Sequence, residues 1–578
     1  MERTVTQTHN RSLIADRGIV VANHPLAAAA GAEMFAAGGN AIDAAVAACL
    51  AASVVEPAMS SIFGAGFMLI RRAGGGIAAL DNYIKSPAAA YDGVYRLESV
   101  ERGLFTVKDR LNEFGHLSVG VPGSLKAYHE SAVRYGRLSW SDICAPAVRL
   151  ARDGFVISPL SADLIRRHRN VLARYPYSAR VFLDQGLPRK EGTRLVRADY
   201  ADTLESIAQE GADLLYTGDL ARRVSEEMSD HGGILTCDDL QNYRVERREP
   251  VRSTYRGYEI VGMAPCSSGG TILAQALNLL EGFDLSSLGF GTAESIHLIA
   301  ESLKLAFADR YRYFGDPDQA PVPVEWLTSK QYADRRRSEI DVRRARKYGP
   351  GVPVMGEPGY EQAVKAARDE FRHPAVGESA NTTHVTACDR GGNMVATTQT
   401  LNGGFGSHVT VPGTGMLLNN CMMLFDPRPG LRQSVGPSKR PVSSNTPTFV
   451  FRDGKPVLAL GVPGATRIPA AVLQAIIDFI DHRMPLQEAV EAPRCHAGSE
   501  GDGLLLEHGF AAKVDSKLAS LGHPVSRAPW VAGGLSAVTF TGDGRLEGAA
   551  CWRADGAPAG ISGGSARLPE GDFDSDVF

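Results

Sequence analysis

The chain has 578 residues, of which 44% are hydrophobic and 22% are charged, a balance typical of a soluble globular protein. The formal net charge of −4 gives no reason to expect nucleic acid or an anionic membrane as a partner. A chain of this length holds about two to four domains or one large layered unit.

The cysteines and the N-terminus narrow the class of protein further. The eight cysteines have no C-x-x-C or metal-ligand spacing, so we expect free thiols, no metal site and no cofactor. The first ten residues lack the apolar segment of a secretory signal, which predicts a cytoplasmic protein. The apolar run from Ala41 to Val55 is too short to span a membrane and contains Asp43, so it predicts a buried helix.

The N-terminal part of the chain predicts a strand, two helices and a second strand. Residues 18–22 are a short apolar run typical of a strand. An alanine-rich helix follows and ends at Gly38-Gly39-Asn40, residues that tolerate positive φ. A second helix starts at Ala41, and residues 64–70 turn into a strand. The small side chains of both helices predict close packing between them.

Two more helices are predicted in the middle of the chain. Residues 267–270 open the first, over residues 272–280, and indicate either a helix N-cap or an anion-binding helix start. The second, over residues 297–310, is amphipathic. Its Glu301 and Asp309 lie two turns apart, and we interpret them as solvated or structural ion pairs rather than as an acid/base pair.

The stretch from about residue 335 to residue 381 is charged and punctuated by proline and glycine. Its arginines could form a nucleic-acid patch, but acidic residues are interleaved throughout, so we predict a mobile connector. Three histidines, His116, His129 and His168, belong to no ligand cluster and no catalytic spacing. We assign them structural or surface roles.

A threonine-rich β-hairpin follows this connector. Residues 386–388 can extend as a strand, residues 389–393 supply turn chemistry, and residues 394–400 are typical of a return strand. Hairpin pairing would bring Thr400 back towards Thr382. Without further information this is a hairpin that any β-sheet protein could contain.

The hairpin could take part in catalysis if the chain is cut before Thr382. A free α-amino group would then lie on the residue that carries the hydroxyl. Its unperturbed pKa is about 7.7–8.0, so a useful fraction is unprotonated near neutral pH and can take the hydroxyl proton. This is the N-terminal-threonine form of nucleophilic catalysis.

The sequence around this hairpin resembles the processing site of the γ-glutamyltransferase (glutathione hydrolase) family of N-terminal-nucleophile hydrolases. The matching residues are Asn-Thr-Thr-His at 381–384, Asp389, Gly392-Asn393 and Thr400-Leu401-Asn402. The resemblance covers nearly the whole chain. It implies self-cleavage between Asn381 and Thr382 into a large fragment, 1–381, and a small fragment, 382–578. It also implies an α/β fold, a four-layer αββα sandwich that the two fragments build together.

The resemblance assigns roles to residues of the small fragment. Thr400 would hydrogen-bond the nucleophile Thr382, and a pair of serines would contact a substrate carboxylate. The loop at residues 461–467 matches the family's oxyanion-hole loop, in which backbone N–H groups stabilise negative charge. The positions that match catalytic or substrate-binding residues of the family are Thr382, Thr400, Asn402, Ser443, Ser444, Gly464 and Ala465.

Three positions depart from the family pattern. In the family, these positions usually hold Arg, Gln and Asp. The three side chains bind the α-carboxylate and α-amino groups of a γ-glutamyl substrate. This chain has Tyr83, Cys421 and Leu424 at those places. Enclosing a charged ammonium and a carboxylate without partners costs several kcal/mol. The departures therefore predict a pocket that does not suit a γ-glutamyl zwitterion.

These inferences together predict a self-processing N-terminal-threonine amidohydrolase that cleaves the amide of a small acid, of the oxamate or glutaryl type. The predicted partners are a small-molecule amide and the chain's own two fragments as a heterodimer, alone or as a dimer of heterodimers. Nucleic acid and membranes are not predicted partners. Two alternatives stay open: an authentic γ-glutamyltransferase that uses substitute contacts, and a non-catalytic binding protein on the same fold.

Overall fold

The computed structural model describes residues 8–101, 104–368, 381–498 and 503–561. Within these ranges the strands are β1 (Leu13–Ala15), β2 (Gly18–Ala22), β3 (Ala65–Arg71), β4 (Ile77–Asn82), β5 (Leu97–Glu101), β6 (Leu104–Val107), β7 (Phe155–Val156), β8 (Leu183–Asp184), β9 (Leu187–Pro188), β10 (Arg194–Leu195), β11 (Glu246–Arg248), β12 (Val251–Tyr255), β13 (Tyr258–Gly262), β14 (Asn381–Asp389), β15 (Met394–Asn402), β16 (Thr448–Arg452), β17 (Lys455–Gly461), β18 (Cys495–Ala497), β19 (Leu504–Glu507), β20 (Val525–Ala528), β21 (Ser536–Phe540), β22 (Leu546–Ala550) and β23 (Ala557–Ile561).

The helices of the same ranges are α1 (Pro25–Ala36), α2 (Ala41–Val55), α3 (Ser124–Tyr135), α4 (Trp140–Asp153), α5 (Pro159–Leu172), α6 (Pro176–Phe182), α7 (Ala198–Glu210), α8 (Asp213–Tyr216), α9 (Asp219–Asp230), α10 (Cys237–Asn242), α11 (Gly269–Leu280), α12 (Leu285–Leu288), α13 (Ala293–Tyr313), α14 (Val324–Thr328), α15 (Lys330–Arg337), α16 (Tyr360–Ala366), α17 (Ile468–Ile480), α18 (Leu486–Glu491) and α19 (Lys513–Ser520). Short 3₁₀ turns occur at Lys108–Arg110, His116–Ser118, Cys421–Leu424 and Ala465–Arg467. Across the described ranges, none of these helices combines the length and the apolar character needed to cross a bilayer.

Most of the described strands form two seven-stranded antiparallel sheets. Sheet I has the strand order β11-β4-β3-β15-β14-β2-β23, and sheet II has the order β1-β22-β21-β17-β16-β13-β12. The predicted hairpin, β14 and β15, lies in the middle of sheet I, where β14 pairs with β2 and β15 pairs with β3. The threonine-rich hairpin is therefore a central element of the fold.

Side chains along the strands alternate between separate apolar clusters, as the two-residue period of a strand requires. In β3 of sheet I, Phe67 joins an inner cluster and Met68 joins an outer one. In β16 of sheet II, Phe449 joins the same inner cluster and Val450 joins a second outer one. Because both sheets contribute to the inner cluster, they face each other across it.

Helices cover the outer faces of both sheets. Residues of α1, α2, α3, α4 and α7 form the outer cluster of sheet I, and residues of α11, α13 and α17 form that of sheet II. The order of layers is helix, sheet, sheet, helix. The predicted four-layer αββα sandwich is confirmed.

The predicted buried helix at Ala41 is confirmed as α2, and its start has a local cause. The Asn40 side chain accepts the N–H groups of Ile42 and Asp43 at 2.8 and 3.2 Å, and the Asp43 carboxylate accepts the Asn40 N–H at 2.8 Å. This reciprocal capping box satisfies backbone donors that a helix start leaves without partners. All 15 residues of α2 are buried, so Asp43 contributes to capping within the core.

The predicted helix over residues 297–310 exists as part of α13, but it is buried rather than amphipathic. Glu301 and Asp309 are both 0% exposed. Glu301 accepts the Tyr348 hydroxyl, and Asp309 accepts the Tyr332 hydroxyl, each at 2.6 Å. Glu301 also forms a structural ion pair with Lys304, as one of the two interpretations predicted, whereas the interpretation as solvated groups is wrong for both carboxylates.

Part of the predicted mobile connector forms helices and buries some of its side chains. Residues 335–368 include the end of α15 and all of α16, and Arg336 and Ala363 are buried there. Glu357 accepts the Trp326 indole N–H at 2.7 Å, which ties the segment to α14. The mobility of the connector stays a prediction, and residues 369–380 lie outside the described residues.

Candidate active site

Thr382 is the second residue of β14 and is 6% exposed. Its hydroxyl donates to the Thr400 hydroxyl, with 3.1 Å between the two oxygens. Strand pairing brings the two residues together, since Thr383 pairs with Gln399 and the register shifts between Asn381 and Thr383. The predicted approach of Thr400 to Thr382 is confirmed.

Thr400 also contacts the peptide bond that precedes Thr382. Its hydroxyl donates to the Asn381 carbonyl oxygen at 2.7 Å and accepts the Asn402 N–H at 2.8 Å. One donated and two accepted hydrogen bonds fill the capacity of a hydroxyl group. A donor on a carbonyl oxygen makes the carbonyl carbon more electrophilic. A hydroxyl and a polarised carbonyl therefore lie side by side at the predicted cleavage site.

Asn402, the predicted substrate contact, is held by a neighbouring loop. It ends β15 with a left-handed backbone, φ 76°. Its side-chain nitrogen lies 3.3 Å from the side-chain oxygen of Asn420. Asn420 donates in turn to the Glu113 carbonyl oxygen at 2.8 Å. The large and small fragments of the predicted division both contribute to this support, because Glu113 precedes the cleavage site.

The predicted oxyanion loop has an unusual backbone. Gly464 has φ 148°, and a Cβ at this position would lie 2.6 Å from the Cβ of Ala532. Ala465 has φ 56°, a left-handed conformation that costs an L-residue roughly 1–2 kcal/mol. Strain of this kind concentrates at functional sites, where the surrounding structure maintains it. That the two N–H groups form an oxyanion hole stays a prediction.

His384 connects the nucleophile strand to sheet II. A Cβ on Gly461, the last residue of β17, would lie 2.1 Å from the His384 ring, so only glycine allows this approach. The two ring nitrogens lie 2.8 Å from the Thr398 hydroxyl and 3.0 Å from the Thr386 hydroxyl. Burial lowers the pKa of His384 to about 3, so its imidazole is neutral near pH 7. The contact fixes the start of the oxyanion loop relative to β14.

The paired serines lie beside the start of α11 and a buried arginine. The Ser443 carbonyl accepts both the N–H and the hydroxyl of Ser268, each at 2.8 Å. The Ser444 hydroxyl accepts the Arg310 guanidinium at 3.2 Å, and Arg310 also donates to the Ser268 hydroxyl at 2.9 Å. Ser268 is the N-cap residue of α11, but its side chain makes no cap hydrogen bond. The Arg310 guanidinium thus contacts both Ser444 and the start of α11.

Tyr83, Cys421 and Leu424 lie in or against the apolar cluster between the sheets. Tyr83 is 3% exposed and stacks on Phe67, with ring centroids 4.9 Å apart. Cys421 is fully buried, and burial raises the pKa of its thiol. Where the family pattern has charged or amide groups, this protein has neutral side chains that pack in the core.

Glu56 is a residue of the site that the sequence analysis missed. It follows α2, and its carboxyl accepts the Thr383 hydroxyl at 3.0 Å. Burial raises the pKa of this carboxyl from its ordinary value of 4.5 to about 8, so it is largely protonated near pH 7. The available signal was an acidic residue between the apolar C-terminal half of a helix and a proline.

A second missed feature is a pair of histidines beside Asn381. His168 Nδ1 lies 2.8 Å from His408 Nε2, and burial lowers the pKa of His408 to about 3. A Cβ on Gly404 would lie 2.5 Å from His168 Nε2 and 3.2 Å from the side-chain nitrogen of Asn381. The His168 ring and the Asn381 side chain therefore converge on a glycine. No spacing in the sequence links these residues.

The raised pKa of Glu56 predicts a specific dependence of stability on pH. Between its unfolded value of 4.5 and its folded value of about 8, the folded protein holds a proton that the unfolded chain lacks. The stabilisation is fully present below the lower value and is lost as pH rises through the upper one, by up to ~1.4 kcal/mol per pH unit.

Replacing Glu56 with glutamine should flatten the fall in the free energy of unfolding between about pH 5 and pH 8. The measurement is urea unfolding of Glu56→Gln and its parent, both carrying Thr382→Ala so that each unfolds as one chain. Equal slopes for the two proteins would show that Glu56 is not protonated in the folded state.

Comparison with known proteins places this site in a family. The family model described as gamma-glutamyltranspeptidase matches residues 27–561. The acylase ACY 1 proenzyme of Pseudomonas sp. (strain SE83) is 47% identical over 552 residues, which are 95% of each chain. The glutathione hydrolase proenzyme of Escherichia coli (strain K12) is 36% identical, over 93% of this chain and 90% of its own length.

A solved structure agrees with these sequence relatives. The crystal structure of the cephalosporin acylase from Bacillus halodurans superposes with a TM-score of 0.85 at 29% sequence identity, over 96% of this chain and 98% of its own. Sequence and fold therefore agree along almost the whole length of the protein. The chain belongs to the gamma-glutamyltranspeptidase family of N-terminal-nucleophile hydrolases and is an enzyme that hydrolyses amides or transfers their acyl groups.

Proposed function

We propose that this protein is a self-processing acylase, which cuts itself before Thr382 and then hydrolyses the amide of a small acid through an acyl-enzyme on Thr382. The observation that carries this proposal is the hydrogen bond between Thr382 and Thr400 beside the polarised Asn381 carbonyl. Similarity to a protein named as an acylase proenzyme supports it.

The proposed self-cleavage uses the groups already in contact. The Thr382 oxygen attacks the Asn381 carbonyl carbon, the peptide C–N bond breaks, and the Thr382 amine leaves with the hydroxyl proton. Water then hydrolyses the resulting ester, which leaves a carboxylate on Asn381 and a free threonine. Fragments 1–381 and 382–578 would stay together as a heterodimer, since sheet I interleaves β2 and β3 of one with β14 and β15 of the other.

Hydrolysis of the substrate repeats the same chemistry. The free amine of Thr382 takes the hydroxyl proton, and the oxygen attacks the substrate carbonyl. The N–H groups of Gly464 and Ala465 stabilise the negative charge on the carbonyl oxygen. The amine then gives its proton to the leaving group, and water releases the acid from Thr382.

The proposed acyl group is a small acid without an α-ammonium, of the glutaryl or oxamate type. Tyr83, Cys421 and Leu424 offer an ammonium neither a carboxylate nor an amide oxygen from their side chains. Ser443 and Ser444, with the Arg310 charge behind them, favour a carboxylate on the acyl group. The proposed substrate class therefore rests on two observations. The positions that would bind an ammonium hold neutral side chains, and the positions that would bind a carboxylate hold hydroxyl groups.

Two other functions compete with this proposal. An authentic γ-glutamyltransferase with substitute contacts is supported by the 36% identity to a glutathione hydrolase proenzyme. A non-catalytic binding protein would have no need of the hydrogen-bonded threonine pair at a polarised peptide, so that arrangement argues against it.

Trapping the acyl-enzyme tests the proposal directly. The processed protein is mixed with glutaryl-p-nitroanilide, quenched with acid and analysed by mass spectrometry after proteolysis. We expect one glutaryl ester, on Thr382. Turnover of the anilide with the ester on another residue would refute the assignment of the nucleophile, and a lack of both ester and turnover would refute the glutaryl type of acyl group.

The proposed base predicts how the rate depends on pH. The pKa of the free amine is about 7.7–8.0, and a partly apolar site rich in donors should lower it, so kcat/KM should rise through an apparent pKa at or below that range. Thr382→Ser should keep measurable activity and the same pH profile, because serine supplies both a hydroxyl and an α-amine. A rate that is constant between about pH 5 and pH 9 would point to a different base.

A further inference from the structure

A cluster of two histidines and a glutamate lies apart from the threonine pair, where α9 ends. Glu227 Oε1 lies 2.9 Å from His116 Nε2 and 3.3 Å from His231 Nδ1. One ligand atom from each of the three residues falls within 4.8 Å of the others. No spacing in the sequence indicates this cluster, because 111 positions separate His116 from Glu227. We propose that His116, Glu227 and His231 bind a divalent transition-metal ion with the chemistry of Zn²⁺.

The separations of the ligand atoms suit such an ion. Zinc bonds of 2.0–2.1 Å in a tetrahedral site place neighbouring ligand atoms about 3.3–3.4 Å apart. The pairs formed by Glu227 with His116 and with His231 lie at or slightly below this value. Imidazole and carboxylate are also the donor types that this class of metal prefers. Binding an ion therefore requires little change in these two separations.

The positions of the ligands in the fold supply two independent anchors. Glu227 and His231 are four residues apart at the end of α9, so they lie on the same side of the helix. His116 comes from the 3₁₀ turn His116–Ser118, 111 residues earlier than Glu227. A bound ion would therefore clamp this turn to α9.

His116 is held in place before any ion binds. Its side chain is 9% exposed. The preceding residue, Gly115, donates its N–H to the Ser407 carbonyl at 2.9 Å, and a Cβ on Gly233 would lie 3.1 Å from the Cβ of His116. A ligand fixed by its surroundings loses little side-chain entropy on binding. The position of His116 therefore lowers the entropy cost of binding an ion.

His231 is the adjustable member of the cluster. Its ring stacks on that of His116, with centroids 4.7 Å apart, and its Nδ1 also lies 3.0 Å from the Glu227 carbonyl oxygen. The side chain is 53% exposed, so it can rotate to direct an in-plane lone pair at the ion. A cavity of about 310 Å³ adjoins the three ligands and is also lined by Arg174, Tyr177 and Thr410. Water has room there for the fourth position.

A second cluster of similar composition, formed by His297, Glu301 and His523, differs because it already contains a cation. His297 Nδ1 and His523 Nε2 lie 2.7 Å apart, so the two rings are hydrogen-bonded to each other. His297 Nε2 contacts the Asp341 carbonyl at 2.9 Å, and the Lys304 ammonium forms an ion pair with Glu301. The Lys304 ammonium already balances the charge of Glu301, so a metal ion would have to displace it. The cluster around Glu301 is a structural network.

Metal binding by the full-length protein tests the proposal. The protein is stripped with a chelator, dialysed and titrated with Zn²⁺ by calorimetry, with the bound metal counted by elemental analysis. Glu227→Gln and His231→Ala remove one ligand each with little loss of packing. His508→Ala is the matched control, because His508 is an exposed histidine outside the cluster.

We expect one ion per wild-type chain and per His508→Ala chain, and binding at least about tenfold weaker in each ligand variant. Co²⁺ in the wild-type protein should give the visible absorption of a four- or five-coordinate site, and Zn²⁺ should raise the melting temperature of the wild type but not of the variants. Wild-type protein that takes up no stoichiometric metal would overturn the proposal. So would ligand variants that bind as tightly as the control.

Discussion

The Thr382→Ala variant is expected to remain a single chain of 61.7 kDa, whereas the wild-type protein should separate into two bands. In proportion to length, residues 1–381 and 382–578 correspond to roughly 41 and 21 kDa of that mass. The variant lacks the oxygen that attacks the Asn381 carbonyl, so neither the peptide bond nor any substrate should be cleaved. We expect a loss of at least about 10⁴-fold in kcat, as for other removed nucleophiles.

The neighbouring threonine supplies a matched control for this experiment. Thr383→Ala removes a hydroxyl from the next residue, where it bonds to Glu56 and not to Thr400. This variant should still be cut, and N-terminal sequencing of its small band should begin Thr-Ala-His-Val. For the wild type the small band should begin Thr-Thr-His-Val. A different first residue in the wild-type small band would show that Thr382 is not the nucleophile and would refute the assignment.

The second large effect is a preference for glutaryl over γ-glutamyl anilides. The two substrates differ only in the α-ammonium, for which Tyr83, Cys421 and Leu424 provide no counter-charge. Removing an unpaired charge avoids a desolvation cost of about 1–3 kcal/mol, or about five- to a hundred-fold in kcat/KM. The processed enzyme should be compared on both p-nitroanilides, with the butyryl compound as the uncharged reference.

A variant separates the contribution of the distal carboxylate from that of the ammonium. Ser444→Ala removes a hydroxyl that accepts a hydrogen bond from Arg310. We expect it to slow glutaryl hydrolysis by about five- to tenfold and to leave butyryl hydrolysis unchanged, since only the former carries a carboxylate. If wild-type enzyme acts on the γ-glutamyl compound about tenfold faster than on the glutaryl one, the argument from the three departures fails and an authentic γ-glutamyltransferase stands.

Local sequence patterns were sufficient to predict the helices and strands that are determined by residues close together in the chain. β2 covers Gly18–Ala22 as its apolar run predicts, and α2 starts at Ala41 because Asn40 and Asp43 cap it. The hairpin of β14 and β15 follows from turn residues between two β-favouring runs. Its pairing brings Thr400 to Thr382, so the threonine pair could be predicted from the sequence as well.

Contacts between distant parts of the chain could not be predicted in this way. The bond from Thr383 to Glu56 joins residues 327 positions apart, and the pair of His168 and His408 joins residues 240 positions apart. The stacking of the two sheets and their helix layers decides which of these side chains meet. The sequence periodicity around these residues does not indicate which of them come into contact.

Burial was the other property that only the tertiary structure decided. Glu301 lies in a helix whose pattern fits a surface position, but it is 0% exposed, and its carboxylate accepts the Arg346 N–H and the Tyr348 hydroxyl from a later part of the chain. Burial likewise raises the pKa of Glu56 to about 8 and lowers that of His384 to about 3. Desolvation depends on everything that surrounds a group, so residue type and spacing cannot supply it.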